Sequence, residues 1–265
     1  MQLSVDDHVA TVTMTARAMA PQFFVDLQAI FGTVLPGRDD VRAVVLKSAH
    51  PKAFSYGLDL MKAFQEHGPL LTGAGLASVR TELLNLIRRW QAAVSAVANL
   101  GAPTIAAMNG WCIGGGLDLA TACDIRLASA DTKISLRETK LAIVADVGTL
   151  QRLPHIVGQG IARELAFTGK DIDAARALQI HLVNSIHESH EAVVEAAHAM
   201  ATEIAANAPL TVAGTKQVLN HGMGRTVEDG LEYVAVWNSA FLGSEDLGEA
   251  VAAFTNRRPP VFKGR

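Results

Sequence analysis

The sequence predicts an α/β core followed by an all-helical tail. Three observations carry this. Short apolar runs with strand character alternate with stretches of helical periodicity through the first half of the chain. A glycine-rich turn joins one buried run directly to a helix. From about residue 190 onward only helical periodicity remains. A length of 265 residues suits one domain, or one domain with a small extension, and is ample for a large core.

The elements follow in order. His8–Met14 (HVATVTM) alternates apolar and polar residues, as a half-buried strand does. Pro21 opens a helical stretch through about Leu35, with proline in its favoured first turn. Arg42–Lys47 (RAVVLK) is nearly all apolar, the mark of a strand covered on both faces. Ala53–Ser55 is a short extended piece leading into a strand-to-helix junction, Phe54–Leu60. Val79, Leu83, Leu86, Ile87, Trp90, Val94 and Val97 recur at steps of three and four, giving one long amphipathic helix ended by Gly101 and Pro103. Thr104–Met108 reads as a buried strand, Asn109–Gly116 as a glycine-rich turn, and a helix is expected from about Leu117. Asp124–Ser129 is a further strand, and another helix is expected near Val147. The helical tail is broken at Pro209, Gly222-Met223-Gly224 and Gly243-Ser244.

Composition removes several classes of function. Hydrophobic residues make up 49% and charged residues 18%, which excludes global disorder. Lys and Arg number 23 against 26 Asp and Glu, a net charge of −3, so no broad basic face is available for nucleic acid. Cys112 and Cys123 are too few for a disulfide framework or a four-cysteine zinc site, and read as buried free thiols in a reducing compartment. The first 14 residues lack the basic and apolar regions of a signal peptide. Residues 90–117 carry no charge and are long enough to span a bilayer. Asn99, Gly101, Pro103, Asn109, Gly110 and Gly114–Gly116 would break such a helix, so the run is expected to lie in a protein core.

Familiar nucleotide and hydrolase signatures are missing. The glycines do not form G-x-G-x-x-G, no Lys-Ser/Thr follows them, and there is no G-x-S-x-G elbow. His187-Glu188-Ser189-His190, with His181 and His198 nearby, lacks zincin spacing and reads as a solvated helix start rather than a metal site.

Two junctions and three acids remain. Gly114–Gly116 opens a helix, so its backbone can approach a ligand and its free N–H groups can hold an oxyanion; a plain tight turn is the alternative. Phe54–Leu60 could supply a second N–H donor, or be a plain turn. Asp118, Glu138 and Asp146 sit in apolar company, where a carboxyl's pKa rises toward the range useful for general acid/base chemistry. Each also has a structural reading. Asp118 would complement a helix N-terminus, Glu138 would pair with Arg137 or Lys140, and Asp146 would cap the helix near Val147.

Taken together, these features resemble the crotonase, or enoyl-CoA hydratase/isomerase, superfamily. The resemblance covers nearly the whole chain and is strongest over Trp111–Phe167: WCIGGGLDLATACDIRLASA, then LRETKLAIVADVGTLQRLPHIVGQGIARELAF. Within it the chain is similar to the dienoyl-CoA isomerase branch, on Asp118 in place of the hydratases' first glutamate, Glu138 twenty residues on, Asp146 eight further, and the late segment LEYVAVWNSAFLGSEDL. Hydratases usually read P-G-A-G-G-T where this chain has Val144–Thr149. Ala142 stands where the branch usually has glycine, which implies a narrower pocket.

The resemblance implies a spiral of ββα units over residues 1–200, holding a CoA thioester site, and a helical oligomerisation region over 201–265. It implies catalytic roles for Asp118, Glu138 and Asp146, and an oxyanion hole from the N–H groups of Leu58 and Gly115. Ser55, Tyr56, Gly57, Asp59 and Gly114 would contact substrate. The implied reaction converts a 3,5-dienoyl-CoA to the 2,4-isomer in fatty acid β-oxidation. No metal or separate cofactor is implied, since coenzyme A belongs to the substrate. The expected assembly is a homotrimer or homohexamer, in the cytoplasm, with no membrane or nucleic-acid partner. Alternatives are a 2-enoyl-CoA hydratase or monoene isomerase of the same fold and, from another class, a non-catalytic scaffold or RNA-binding member.

Overall fold

The computed structural model describes residues 1–72 and 76–265. The chain opens with β1 (Gln2–Asp6) and β2 (Val9–Met14), paired antiparallel through a two-residue turn. Asp7 and His8 both hold positive φ there, at 41° and 67°, as a hairpin turn matched to strand twist requires. Neither is glycine, so the turn carries no hairpin signature in sequence, and β1 is an element the sequence did not predict. Helix α1 (Pro21–Ala29) starts at the expected proline and continues through a wider turn at Ile30–Val34 and a tighter one at Leu35–Gly37. The two sequence-expected strands follow as β3 (Ala43–Ser48) and β4 (Ala53–Ser55).

Helices α2 (Leu60–Thr72) and α3 (Ala77–Asn99) come next, then β5 (Thr104–Met108), β6 (Trp111–Ile113) and α4 (Gly115–Ala122). Helix α4 thus starts two residues earlier than expected, on the glycines themselves. β7 (Ile125–Ser129) and β8 (Lys133–Ser135) complete the third strand pair. The remainder is α5 (Thr149–Val157), α6 (Gln159–Thr168), β9 (Asp171–Asp173), α7 (Ala174–Gln179), β10 (Ser185–His187) and α8 (His190–Ala205), then α9 (Pro209–Gly222), α10 (Val227–Phe241) and α11 (Glu245–Thr255). No described helix is long and apolar enough to cross a membrane.

Two sheets run side by side. One has the order β1-β2-β3-β5-β7-β10, parallel except for the first hairpin; the other has the order β4-β6-β8-β9. Each of the pairs β3/β4, β5/β6 and β7/β8 puts its first strand in the first sheet and its second in the other. Helices follow each pair, so the chain advances as a spiral of ββα units.

Alternation within the strands explains their unbroken apolar runs. Val44, Leu46, Ala106, Met108 and Ala128 face the main core beneath α1, α3 and α4. Ala43, Val45, Ile105, Ala107 and Leu127 face α8 on the other side, meeting its Val193, Ala197, Ala201 and Ala205. That four-residue stripe of small side chains lets α8 lie close to the sheet. The uncharged run 90–117 becomes the end of α3, β5, β6 and the start of α4, within the protein as expected, with β6 forming inside the stretch read as a glycine-rich turn.

The tail is tied to the core by polar contacts. Lys216 Nζ on α9 donates to Asp124 Oδ2 (2.7 Å) and to the Ala102 carbonyl (3.2 Å). Arg42 reaches the carbonyls of Ala205 and Phe262, and Asp246 accepts the backbone N–H groups of Lys263 and Gly264.

Ala142 departs from the expectation attached to it. It is exposed and does not wall the cavity described below, so it narrows nothing. Instead it holds a left-handed conformation, φ 57° and ψ 32°, as the cap of the turn Glu138–Leu141. A Cβ in that conformation costs roughly 1–2 kcal/mol, which accounts physically for a glycine there. Ala142→Gly should therefore stabilise the protein by about 1 kcal/mol after the extra freedom glycine gives the unfolded chain. Urea denaturation with no gain in midpoint would refute the strained cap.

Candidate active site

The site is built where two strand-to-helix junctions meet. At the first, between β4 and α2, Gly57 holds φ 80°, and a Cβ there would lie 2.7 Å from the Ile113 carbonyl oxygen, so both the backbone and the close approach call for glycine. Its N–H donates to Ser55 Oγ (3.1 Å) and its carbonyl accepts from Met19 N (2.8 Å). Tyr56 N bonds the Arg17 carbonyl and Asp59 N the Met19 carbonyl, while Asp59 Oδ1 accepts from Lys62 N. At the second, Gly114 N donates to the Ser135 carbonyl, and Leu117 N and Asp118 N return to the Gly114 carbonyl. Among the described residues none of these bonds uses the N–H groups of Leu58, Gly115 or Gly116. Gly115 is the first residue of α4, whose opening N–H groups have no partner within the helix. The junctions are close: a Cβ on Gly115 would lie 3.7 Å from Leu58 N and 3.1 Å from Met19 Sδ.

Glu138 closes this pair from above. A Cβ on Gly114 would stand 3.0 Å from Glu138 Oε1, so the glycine gives the carboxyl its place. The surface reading of Glu138 fails: Arg137 turns to Asp171 in a bidentate pair (both 2.7 Å) and lies over the Trp111 ring. Glu138 is left facing inward, with Oε2 buried and without a hydrogen-bond partner. Burial, reinforced by the negative fields of Asp118 and Asp146, pushes its pKa up to about 7.

Asp118 is 1% exposed, and its Oδ1 accepts the N–H of Thr149 at 2.6 Å. It therefore complements the N-terminus of α5 as well as standing in the first turn of α4. Burial raises its pKa and outweighs the lowering effect of the Thr149 bonds. Asp146 does not cap α5 as the structural reading expected. The cap position is Gly148, at φ 131°, and the carboxylate that meets the helix start belongs to Asp118. Asp146 stands instead in the wall of the cavity, with its pKa raised by burial.

The cavity has a volume of about 160 Å³, and all three acids line it together with Leu58, Gly115 and Tyr56. Of the predicted substrate contacts, Tyr56, Gly57 and Gly114 also line it. Ser55 and Asp59 do not, because their side chains are spent on the turn itself. Sequence reading assigned Phe24 no role and Trp90 only to a helix's apolar stripe. Their rings stack with centroids 4.7 Å apart and wall the cavity. Leu141, Ile143 and Val147 were also missed as lining; an apolar run without helix or strand period was their only signal.

A larger cavity, about 630 Å³, lies between α9 and the ends of the first sheet, where the Lys216–Asp124 pair neutralises itself; it lacks a cluster of unpaired acids. At His187–His190, Ser189 caps α8 and His187 Nε2 meets Ser185 Oγ (2.8 Å), a helix start as read.

Comparison with known proteins gives these features a context. The family model for enoyl-CoA hydratase/isomerase matches residues 5–265. The mitochondrial Delta(3,5)-Delta(2,4)-dienoyl-CoA isomerase of Dictyostelium discoideum is 44% identical over 93% of this chain and 83% of its own length. The peroxisomal protein of the same name from Arabidopsis thaliana is 40% identical over 93% and 88%. Among solved structures, the enoyl-CoA hydratase of Bacillus anthracis superposes with a TM-score of 0.88 at 30% identity, covering all of both chains.

The raised pKa of Glu138 sets a pH dependence with a definite sign. Any step that needs Glu138 ionised should slow as pH drops through about 7, read as a fall in kcat/KM. Stability runs the other way. The folded state holds a proton on Glu138 that the unfolded chain releases near its usual value of 4.5, so this group costs stability as pH rises through that window. Glu138→Gln should melt higher than the wild type at pH 8, with the advantage shrinking toward pH 5. An equal melting temperature at both pH values would refute the burial argument.

Proposed function

The chain belongs to the enoyl-CoA hydratase/isomerase family, and on that premise we propose that it converts 3,5-dienoyl-CoA thioesters to 2,4-dienoyl-CoA thioesters, as a step of fatty acid β-oxidation. The observation that carries the reading is a cavity with two separate acids, Glu138 and Asp146, beside two free backbone donors. Relatives at 37–44% identity bearing the dienoyl-CoA isomerase name support it.

The thioester carbonyl oxygen sits between the N–H groups of Leu58 and Gly115. Glu138, ionised, removes a proton from C2. The C–H electron pair becomes the C1–C2 double bond of an enolate, and its negative charge moves to the thioester oxygen and out along the diene. Each such donor contributes ~10²–10³-fold to rate in comparable sites. Asp146, protonated, delivers a proton at C6. The electrons shift to leave double bonds at C2–C3 and C4–C5, and the carbonyl reforms. Nothing is oxidised or reduced, and the two acids reset by exchanging one proton with solvent. The negative field of Asp146 adds to the burial that raises the Glu138 pKa, so the ionised base is available as pH rises through about 7. The thioester itself is the electron sink, and the reading draws on no further cofactor.

A hydratase needs two carboxylates free to grip one water. Asp118 Oδ1 is held by the Thr149 amide, which favours the isomerase over that alternative. A net charge of −3 and the intact cavity count against an RNA-binding or scaffold role. Cys112 and Cys123 are buried free thiols, which fits a reducing compartment; the sequence expectation is the cytoplasm, while the named relatives are mitochondrial and peroxisomal.

Residues 201–265 form the oligomerisation region in the same reading. Val227, Leu231, Val236, Phe241, Val251 and Phe254 are all exposed on α10 and α11, more apolar surface than an isolated protein of this size presents without a partner. Light scattering should return a trimer or hexamer at micromolar concentration, and a monomer would refute it.

Asp146 decides between isomerase and hydratase. Asp146→Asn keeps the shape and removes the exchangeable proton, so formation of the conjugated 2,4-diene should fall at least roughly a hundredfold with folding retained. A wild type that makes no 2,4-diene, or a folded Asn variant at near wild-type rate, would replace this reading with hydratase or monoene isomerase.

A further inference from the structure

Asp146 lies in a segment without helix or strand, residues 142–148, yet its reaction requires a fixed distance from Glu138. The segment is held from behind. Gln91 Nε2, on α3, donates to the Asp146 carbonyl oxygen at 2.7 Å. One residue on, Arg152 Nη1 donates to the Val147 carbonyl at 3.4 Å, and its Nη2 reaches Ser95 Oγ on α3 at 3.0 Å. Gln91 and Ser95 are four residues apart, so they share one face of the helix. Arg152 packs directly over Gly148, where a Cβ would lie 1.7 Å from Nη1. The last point is the Thr149 amide on Asp118. Ala145 and Val147, on either side of Asp146, are buried at 6% and 7%.

We propose that Gln91 and the Ser95–Arg152 pair are positioning residues that fix the Asp146 carboxyl at the far end of the substrate's diene, acting through the backbone of residues 146 and 147. This rests on the isomerase reading above. None of the three side chains lines the catalytic cavity. Their effect falls on one half of the reaction: proton removal at C2 belongs to Glu138, which is seated on Gly114 and does not depend on this strut. A loosened Asp146 leaves the enolate to take its proton back at C2.

Two measurements separate that partition from a general structural effect. The 3,5-dienoyl-CoA substrate is incubated in D₂O; 2,4-diene formation is followed by absorbance, and deuterium at C2 of recovered substrate by mass spectrometry. Gln91→Met keeps side-chain volume and removes the donor, and Gln91 is exposed, so the fold should be retained. Ser95→Ala frees one end of the Arg152 clamp and serves as the second variant. Each should lower kcat roughly tenfold with KM little changed, and raise the ratio of C2 exchange to diene formation severalfold, a milder form of Asp146→Asn. If exchange and diene formation fall together, or neither changes in both variants, the positioning role is wrong while the isomerase reading stands. If the wild type forms no 2,4-diene, the isomerase reading falls and this inference with it.

Discussion

The site depends on a carboxyl group being kept out of water without a partner. Glu138 rests on a glycine, its Oε2 is buried and unpaired, and its pKa stands near 7 as a result. An unpaired buried polar group costs about 1–3 kcal/mol, more if charged, so the surrounding fold has to hold it there. Arg137, the nearest cation in sequence, is drawn off to Asp171. Had it turned inward, the pair would have lowered the carboxyl's pKa toward the ordinary carboxylate range.

The ββα spiral supplies the restraint. Each unit ends a strand at the same edge of the second sheet, so the chain after β4 and the chain after β6 arrive side by side. Two junctions 57 residues apart in sequence, at Leu58 and Gly115, thereby present N–H groups to one point. The third unit, after β8, carries Glu138 over them, and the segment leading to α5 carries Asp146. Rigidity comes from strands packed on both faces, and the acids and backbone donors that line the cavity sit on the segments that follow them. This division of labour places strain and unsatisfied charge where the core can bear them.

Much of this was legible beforehand. Near-continuous apolar runs at Arg42–Lys47 and Thr104–Met108 meant strands with both faces covered, and the alternation of core and α8 contacts is the physical reason. Gly114–Gly116 announced a close approach, and each glycine proves to face a different wall: Glu138, then Met19 and Leu58, then Ser55. Asp146 stood out among Ile, Val and Ala neighbours, while the grouping of all three acids came from the spacing that resembles the family. Local chemistry of this kind is written in neighbouring residues, so a sequence displays it.

What tertiary structure alone decided is which partner each group takes. The amide of Thr149 at the start of α5 is taken by Asp118, 31 positions away in the chain, and Asp146, expected to cap that helix, lines the cavity instead. Trp90 and Phe24 look like any two core aromatics until α1 and α3 stack them beside the cavity. Gln91 and Ser95 look like the polar face of a helix until the 146–149 segment crosses them. The sequence determined most of the strands and helices, the acids in apolar company and the glycine turns, since those follow from periodicity and residue type. It could not determine contacts between segments distant in the chain, because these depend on the spatial overlay of successive ββα units, and no local pattern encodes that overlay.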